Sequence, residues 1–418
     1  MAGPKILILS AYDVGGASIA AIRLHLGLLS IGLNSKLLTL HKSNSNIPEH
    51  FQFSPRNNWK KRIELKLRQR NEHNQRRSLN LSNNQSLSGE FSLPIASFDI
   101  TDSPLWDWAD IVNIHWVNEW ITVEDVIRKS GNKPLVWTMH DMHIFTGGCH
   151  YSHHCYGFEF ECKNCPLLEK SNMPQLANQF WKVKRNAFKM HNPKITITAP
   201  SNWMAGLAQK SSLLSKFEAL GIPNSLDTKV FKPISKSAVR NVLNIPQEKM
   251  VLLTVIQSLE DRRKGFSYLI DALRLLENPE DYFLCTVGNM SGKESGYPIN
   301  YLHLGTIVDE RLMAIIYNAS DILVHPAIED NFPNVVIEAL SCGIPVAGFK
   351  IGGMPEMIEN GQNGYLSNEI EPEGLKDQIL KSVALSQQKD KISEMAHSKY
   401  DLKVQAKNFQ ILFEKILA

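Results

Sequence analysis

Short apolar runs alternate along this chain with stretches of helical period, and the alternation repeats in both halves. In the first half the apolar runs fall at residues 5–9, 35–40, 110–115, 134–140 and 195–199. In the second they fall at 250–256, 282–287, 321–325 and 345–349. Strand-like runs separated by helical segments predict βαβ units and parallel sheets. Each half is therefore expected to build its own sheet, giving an α/β protein of two Rossmann-like, doubly wound domains facing across a cleft. A chain of 418 residues fits that division, because single cores stop growing at roughly 250–300 residues.

Between the halves, Ile222-Pro223-Asn224 through Phe231-Lys232-Pro233 is turn-forming and carries little periodic pattern, as a linker would. The boundary is placed near Pro233. This makes 1–232 an N-terminal domain and 233–398 a C-terminal domain. Residues 399–418 form a last helix expected to pack back on the first domain. The Ser- and Asn-rich stretch 78–92 interrupts the first half and reads as a loop.

Open parallel sheets bind ligands beyond the carboxyl ends of their strands, so candidate chemistry is sought just after each apolar run. After His325-Pro326 comes Ala327-Ile328-Glu329-Asp330-Asn331-Phe332-Pro333-Asn334-Val335, with Pro333 placed like a first-turn proline of a helix. The unpaired N–H groups and positive end of that helix suit a pyrophosphate. Glu338 follows one to two turns later, where a carboxylate could accept two hydroxyl hydrogen bonds from a ribose diol. On spacing alone, an exposed helix glutamate would be the better reading of Glu338.

The surrounding text resembles glycosyltransferase family 4, retaining enzymes of GT-B fold. Two acidic residues stand eight apart before Ala339-Leu340-Ser341-Cys342-Gly343-Ile344-Pro345-Val346, and Gly352-Gly353-Met354-Pro355-Glu356 follows. The stretch 227–233, Arg263-Lys264-Gly265-Phe266, Tyr317-Asn318-Ala319-Ser320-Asp321 and Asn360-Gly361-Gln362-Asn363-Gly364 look similar to the family as well. By that resemblance Glu338 binds the donor ribose. Asp330, standing where many members carry Glu, approaches the donor sugar with the backbone of Asn331, Phe332, Asn334 and Val335. Lys264, after the run at 250–256, neutralises the leaving pyrophosphate as a point charge. Many members carry a Gly-Arg pair at the position of Gln257-Ser258; Arg262 or Arg263 could stand in for that arginine. Thr306, next to Gly305, resembles the family's contact to the base.

In the first half, Gly15-Gly16 follows the first strand and opens a helix, where backbone can approach a phosphate or sugar closely. No Gly-x-Gly-x-x-Gly fingerprint occurs there. His140 and His115 end strands. A lone strand-end histidine is usually structural, but the His140-Asp141 position matches the family's donor-sugar histidine. The implied reaction moves a hexose-like unit, with UDP favoured as carrier, from a nucleotide-sugar donor to a saccharide or lipid-linked acceptor. The configuration at the anomeric carbon would be retained. The chain lacks any Asp-x-Asp, so the expected transfer needs no metal cofactor. The resemblance to exopolysaccharide-type enzymes points to polysaccharide assembly.

Charge alters this picture in one place. Residues 56–77 hold nine Lys or Arg against two Glu, a local +7 that leaves −4 for the rest of a chain of net charge +3. Trp59, Ile63 and Leu67 recur there every four residues. This reads either as a basic amphipathic helix on an anionic membrane surface or as a solvated helix covering the core edge. Nucleic acid is set aside, because no recognition motif accompanies the charge. No apolar run approaches the ~20 residues of a membrane span, and the apolar start at Ile6 is too short for a signal-peptide core. The expected location is cytoplasmic, or peripheral on the inner face of a membrane.

Cysteine usage adds a second feature. Four of six cysteines, Cys149, Cys155, Cys162 and Cys165, crowd into an insert at 145–170. In a reducing compartment the Cys162-x-x-Cys165 knuckle suits structural zinc, with His150, His153 and His154 as alternative ligands to the looser first pair. Cys285 and Cys342 read as buried filler. Two other functions fit the same fold: a nucleotide-sugar epimerase, and a catalytically silent sugar-nucleotide-binding scaffold.

Overall fold

The structure is a computed structural model describing residues 3–54, 91–93, 98–169, 173–290 and 297–418, with positions 63, 66, 67 and 70. The basic stretch 56–77 lies outside the described residues apart from helical Ile63, Lys66, Leu67 and Arg70. There Ile63 is 51% and Leu67 62% exposed. The loop expected at 78–92 lies outside them as far as Glu90.

The chain forms two compact units, residues 1–223 with 405–418 and residues 224–404. Unit 1 holds a seven-stranded sheet in the order β3-β2-β1-β4-β5-β6-β7, every pairing parallel. Its strands are β1 (Lys5–Ser10), β2 (Asn34–Thr39), β3 (His50–Gln52), β4 (Ile111–Ile114), β5 (Leu135–Thr138), β6 (Ile195–Ala199) and β7 (Ala219–Gly221). Unit 2 holds a six-stranded parallel sheet in the order β10-β9-β8-β11-β12-β13. These strands are β8 (Met250–Ser258), β9 (Tyr282–Asn289), β10 (Asn300–His303), β11 (Ile322–His325), β12 (Val346–Phe349) and β13 (Gly364–Ser367).

The central strands are apolar on both faces because helices cover both sides, as parallel sheets require. Ile6, Leu7, Ile8 and Leu9 of β1 are all 0% exposed. Leu7 and Leu9 pack into one core and Ile6 and Ile8 into the opposite one. β11 divides its side chains in the same way.

The division at Pro223/Asn224 falls ten residues before Pro233, and the cause is burial. Leu226 and Phe231 of the turn-forming stretch are fully buried in the unit 2 core with Val251 and Leu253. Leu226 also bridges to Asp401. In the last helix (Leu402–Leu417), Phe409, Leu412 and Phe413 share a core with Ile6 and Ile8 of unit 1. Among the described residues, no helix is long and apolar enough to cross a membrane.

Candidate functional site

In each unit the strand order reverses at the sheet's centre, β1/β4 in unit 1 and β8/β11 in unit 2. Loops leaving such a neighbouring pair diverge and open a crevice at the carboxyl edge. The unit 2 crevice is stitched by its two loops. Ile328 N donates to the Arg263 carbonyl at 2.9 Å, and the Arg263 guanidinium donates to the Glu329 carbonyl at 2.9 Å. Arg263 is thereby tied to the loop after β11, while Arg262 is exposed.

Lys264 Nζ donates to Asp330 Oδ2 at 2.6 Å, and Asp330 Oδ1 accepts the N–H of Asn331 at 2.9 Å. His325 Nε2 stands 3.5 Å from Oδ2, too long for a good hydrogen bond. Burial alone would raise the Asp330 pKa. The Lys264 ammonium overrides it, with His325 and Arg263 adding to the effect, and the carboxyl is held well below the usual range. Burial pushes the His325 imidazole below its ordinary value, which favours the neutral form. Gly352 backs this loop with φ at +50°, and a Cβ there would lie 1.7 Å from the Asp330 carbonyl oxygen. Any side chain would force the acidic loop to move.

The helix after this loop runs Asn334–Ser341, with Pro333 at its N-cap rather than inside its first turn. The difference is small, because the proline's missing N–H is harmless at either place. Glu338 lies one turn in and is only 8% exposed. The hydroxyl of fully buried Tyr317 donates to its Oε2 at 2.8 Å. Burial and this fixed hydrogen bond exclude the bland reading of an exposed helix glutamate.

The other residues expected on the donor side are spread more widely. Asn334 accepts from Asn224 Nδ2 at 3.0 Å through its Oδ1, and Val335 is half-buried. Phe332 turns into the core against Tyr400, with ring centroids 6.0 Å apart. Near it only the backbone is left to meet a ligand. Thr306 is exposed beyond the edge strand β10, and the neighbouring Gly305 carbonyl accepts the Gly288 N–H at 2.9 Å.

In unit 1 the loop after β1 reaches Gly15, whose φ of +90° and ψ of 159° start the helix Gly16–Ser30. Nothing lies within 4 Å of the place a Cβ would take. Glycine is thus needed here for backbone conformation rather than for space. At the ends of β4 and β5, His115 Nδ1 and His140 Nε2 form a 2.8 Å hydrogen bond between stacked rings. Burial pushes His140 down to about 4 and His115 well below its ordinary value, so the pair is neutral at physiological pH.

Asp141 turns away from His140 and pairs with His150 of the cysteine insert, Oδ2 to Nδ1 at 2.5 Å. It also accepts the His143 N–H at 2.9 Å. His150 Nε2 and Ser92 Oγ are 2.8 Å apart. The insert is therefore bolted to the loop carrying His140. All four of its cysteines line one cavity of about 20 Å³, and all are free thiols. Among the described residues, no three His, Cys, Asp or Glu side chains already form a group that could hold a metal ion.

Sequence reasoning missed His325, Tyr317 and His150 as members of these networks. The strand-ending His325-Pro326 was a usable signal for the first. Tyr317 and His150 find their partners only through the fold.

Residues 235–399 match the family described as glycosyl transferases group 1. The WcaC protein of Escherichia coli (strain K12), whose name gives it as a colanic acid biosynthesis glycosyl transferase, is 26% identical over 295 residues. That alignment covers 68% of this chain and 70% of WcaC. The sucrose-phosphate synthase of Thermosynechococcus elongatus superposes with a TM-score of 0.63 at 16% identity, over 99% of both chains. Anabaena HepE, solved with UDP and glucose, superposes with a TM-score of 0.63 at 16% identity, over 99% of this chain and all of HepE. The two Rossmann-like parallel sheets and these likenesses make the fold GT-B.

Proposed function

We propose, on the premise that residues 235–399 belong to the glycosyl transferases group 1 family, that the chain transfers a hexose-type sugar from a UDP-sugar to a saccharide or lipid-linked saccharide. The configuration at the anomeric carbon is retained. The observation that carries this reading is Glu338, a buried carboxylate clamped by Tyr317 one turn into the helix that follows the loop of Asp330, itself ion-paired with Lys264 at the β8/β11 reversal. The naming of WcaC for colanic acid biosynthesis and the UDP bound to HepE support exopolysaccharide assembly and a uridine donor.

In this reading Glu338 takes the ribose hydroxyls, and the amides opening Asn334–Ser341 take the pyrophosphate. Lys264 has three N–H donors, of which Asp330 takes one, and the ammonium turns another to the departing phosphate. Asp330 keeps that ammonium in place and offers its remaining lone pairs to the donor sugar. Attack is from the front face. The acceptor oxygen bonds to the anomeric carbon as the bond from that carbon to the phosphate oxygen breaks. The bonding pair leaves with UDP, and a phosphate oxygen receives the acceptor's proton. Lys264 and the helix amides stabilise the growing charge without a divalent cation. Neutral His140 serves the sugar as a hydrogen-bonding group. The basic stretch 56–77 brings the enzyme to an anionic membrane surface.

The test is product analysis with UDP-sugars and saccharide acceptors in the presence of EDTA. UDP release that depends on acceptor, with NMR showing the donor's anomeric configuration in the product, is the expected result. Turnover without acceptor, an inverted product or a strict need for a divalent cation would each overturn the corresponding part.

A further inference from the structure

The insert at 145–170 does more than cover the sheet. Its four cysteines come from three separate turns and meet around one small cavity, whose wall also includes Phe91, Phe158 and Ala177. Apolar neighbours on several sides explain why thiols gather there out of water. They do not explain why four thiols should share one gap.

The backbone prepares the sulfurs as acceptors. Gly157 N–H donates to Cys155 Sγ at 3.4 Å. Cys162 accepts from the Gly147 backbone, and Cys165 from the backbone of both Leu167 and Leu168. Burial pushes the Cys149 and Cys162 thiols up to about 12 and raises Cys165 as well, so without a metal these sulfurs are held as thiols, and the N–H groups aimed at them act against that burial. Cys162 and Asn164 hold left-handed backbone, with φ of +49° and +54°. This conformation is uncommon for residues other than glycine, and it marks a tightly turned Cys162-x-x-Cys165 knuckle.

A buried cation completes the setting. Lys184 is 1% exposed, and its ammonium donates to the carbonyls of His143 and, at 3.1 Å, of Thr146. It lies within electrostatic reach of Cys149 and Cys162 as well as Glu124. A buried ammonium requires nearby negative charge. Four thiolates around a divalent ion carry a net charge of −2, and the lysine offsets part of it.

We propose that Cys149, Cys155, Cys162 and Cys165 bind a zinc ion as a tetrahedral four-thiolate structural site. As placed, the sulfurs surround the gap without closing on a common point, so binding draws each in to about 2.3 Å from the ion. The cavity exceeds the ~10–15 Å³ of one water-sized sphere. The ion locks the turns that carry His150, and His150 fixes Asp141 beside His140. This site stands independently of the transfer reaction.

The test uses the full chain, purified in reducing buffer without a metal-affinity step. Elemental analysis is expected to find about one zinc per chain. Replacing it with cobalt should give the ligand-field and sulfur-to-metal charge-transfer bands of a tetrahedral thiolate centre. The double variant Cys162→Ser with Cys165→Ser should hold less than about a tenth of that zinc. Cys285→Ser, at the buried cysteine of β9, should hold all of it. If the double variant fails to fold, the cobalt spectrum of the unaltered protein decides. Absence of zinc together with a featureless cobalt spectrum would overturn the site. So would two disulfides in the protein prepared without oxidant, or a double variant that binds zinc as well as the parent.

Discussion

The two sheet reversals share a topology and differ in charge. At β8/β11 the loops bring together Lys264, Arg263 and an ionised Asp330, with charged groups stitched to backbone across the crevice. In unit 1 the strand β4 of the reversal and its neighbour β5 end in two histidines that burial keeps neutral, while the carboxylate beside them in sequence, Asp141, is drawn off to His150. A charged crevice at a helix start suits a diphosphate leaving group, and a neutral imidazole suits a sugar hydroxyl. One architecture thus supplies two different environments, set by which loop residues face inward.

Removing charge from the unit 2 crevice should have the largest effect. Lys264→Met deletes the proposed phosphate partner and leaves Asp330 buried without its cation. A loss of about 10²–10³-fold in kcat is expected from steady-state kinetics. A fall confined to KM would show that Lys264 only binds substrate.

Gly352→Ala comes next, because its Cβ would sit 1.7 Å from the Asp330 carbonyl oxygen. The acidic loop must shift, and calorimetry should show destabilisation of about 2 kcal/mol or more with loss of transfer. An unchanged Tm would mean that the loop yields freely and that its geometry is not fixed as described. Tyr317→Phe removes one hydrogen bond to Glu338 and should weaken donor binding about tenfold, read by titration calorimetry.

The smallest expected effect separates the units by pH. Burial lowers the pKa values of His25, His50, His115, His140 and His143 in unit 1, and of His325 in unit 2. Below about 6.5 the unfolded chain takes up protons on these rings, and the native state does not until the lowered values are reached. Stability therefore falls as pH drops from about 6.5 toward 4. Asp330 acts with its lowered pKa in a more acidic window: its contribution is present above about 3.9 and is lost as pH falls below that. Hydrogen exchange at pH 5 against pH 7 should show unit 1 loosening more than unit 2. His140→Asn should reduce that loss. Equal loosening of both units would contradict the contrast.

The sequence made the interior of both sheets legible and left their edges unseen. All nine expected strands form. The four it missed, β3, β7, β10 and β13, are the outermost strands of the two sheets and only three or four residues long. Edge strands are half-covered and lack the long apolar run that marks a strand buried on both faces. In the site, position after a strand singled out Lys264, Asp330 and Glu338, because that signal is local. The bonds among them are not local. Lys264 and Asp330 are 66 residues apart, Tyr317 and Glu338 are 21, and Ser92 and His150 are 58. Such pairings follow from strand order, which no single run of residues encodes. The division between the compact units lies before the expected boundary for a related reason: the proline- and turn-rich stretch reads as linker, yet its Leu226 and Phe231 fill the unit 2 core.

The central claim is that unit 2 holds a UDP-sugar through Glu338, and direct binding tests it without needing an acceptor. Titration calorimetry of UDP into the full chain and into Glu338→Ala should show saturable binding to the first and about hundredfold weaker binding to the second. The variant's circular dichroism and Tm should stay close to those of the parent. Equal affinity of the two proteins for UDP would contradict the account.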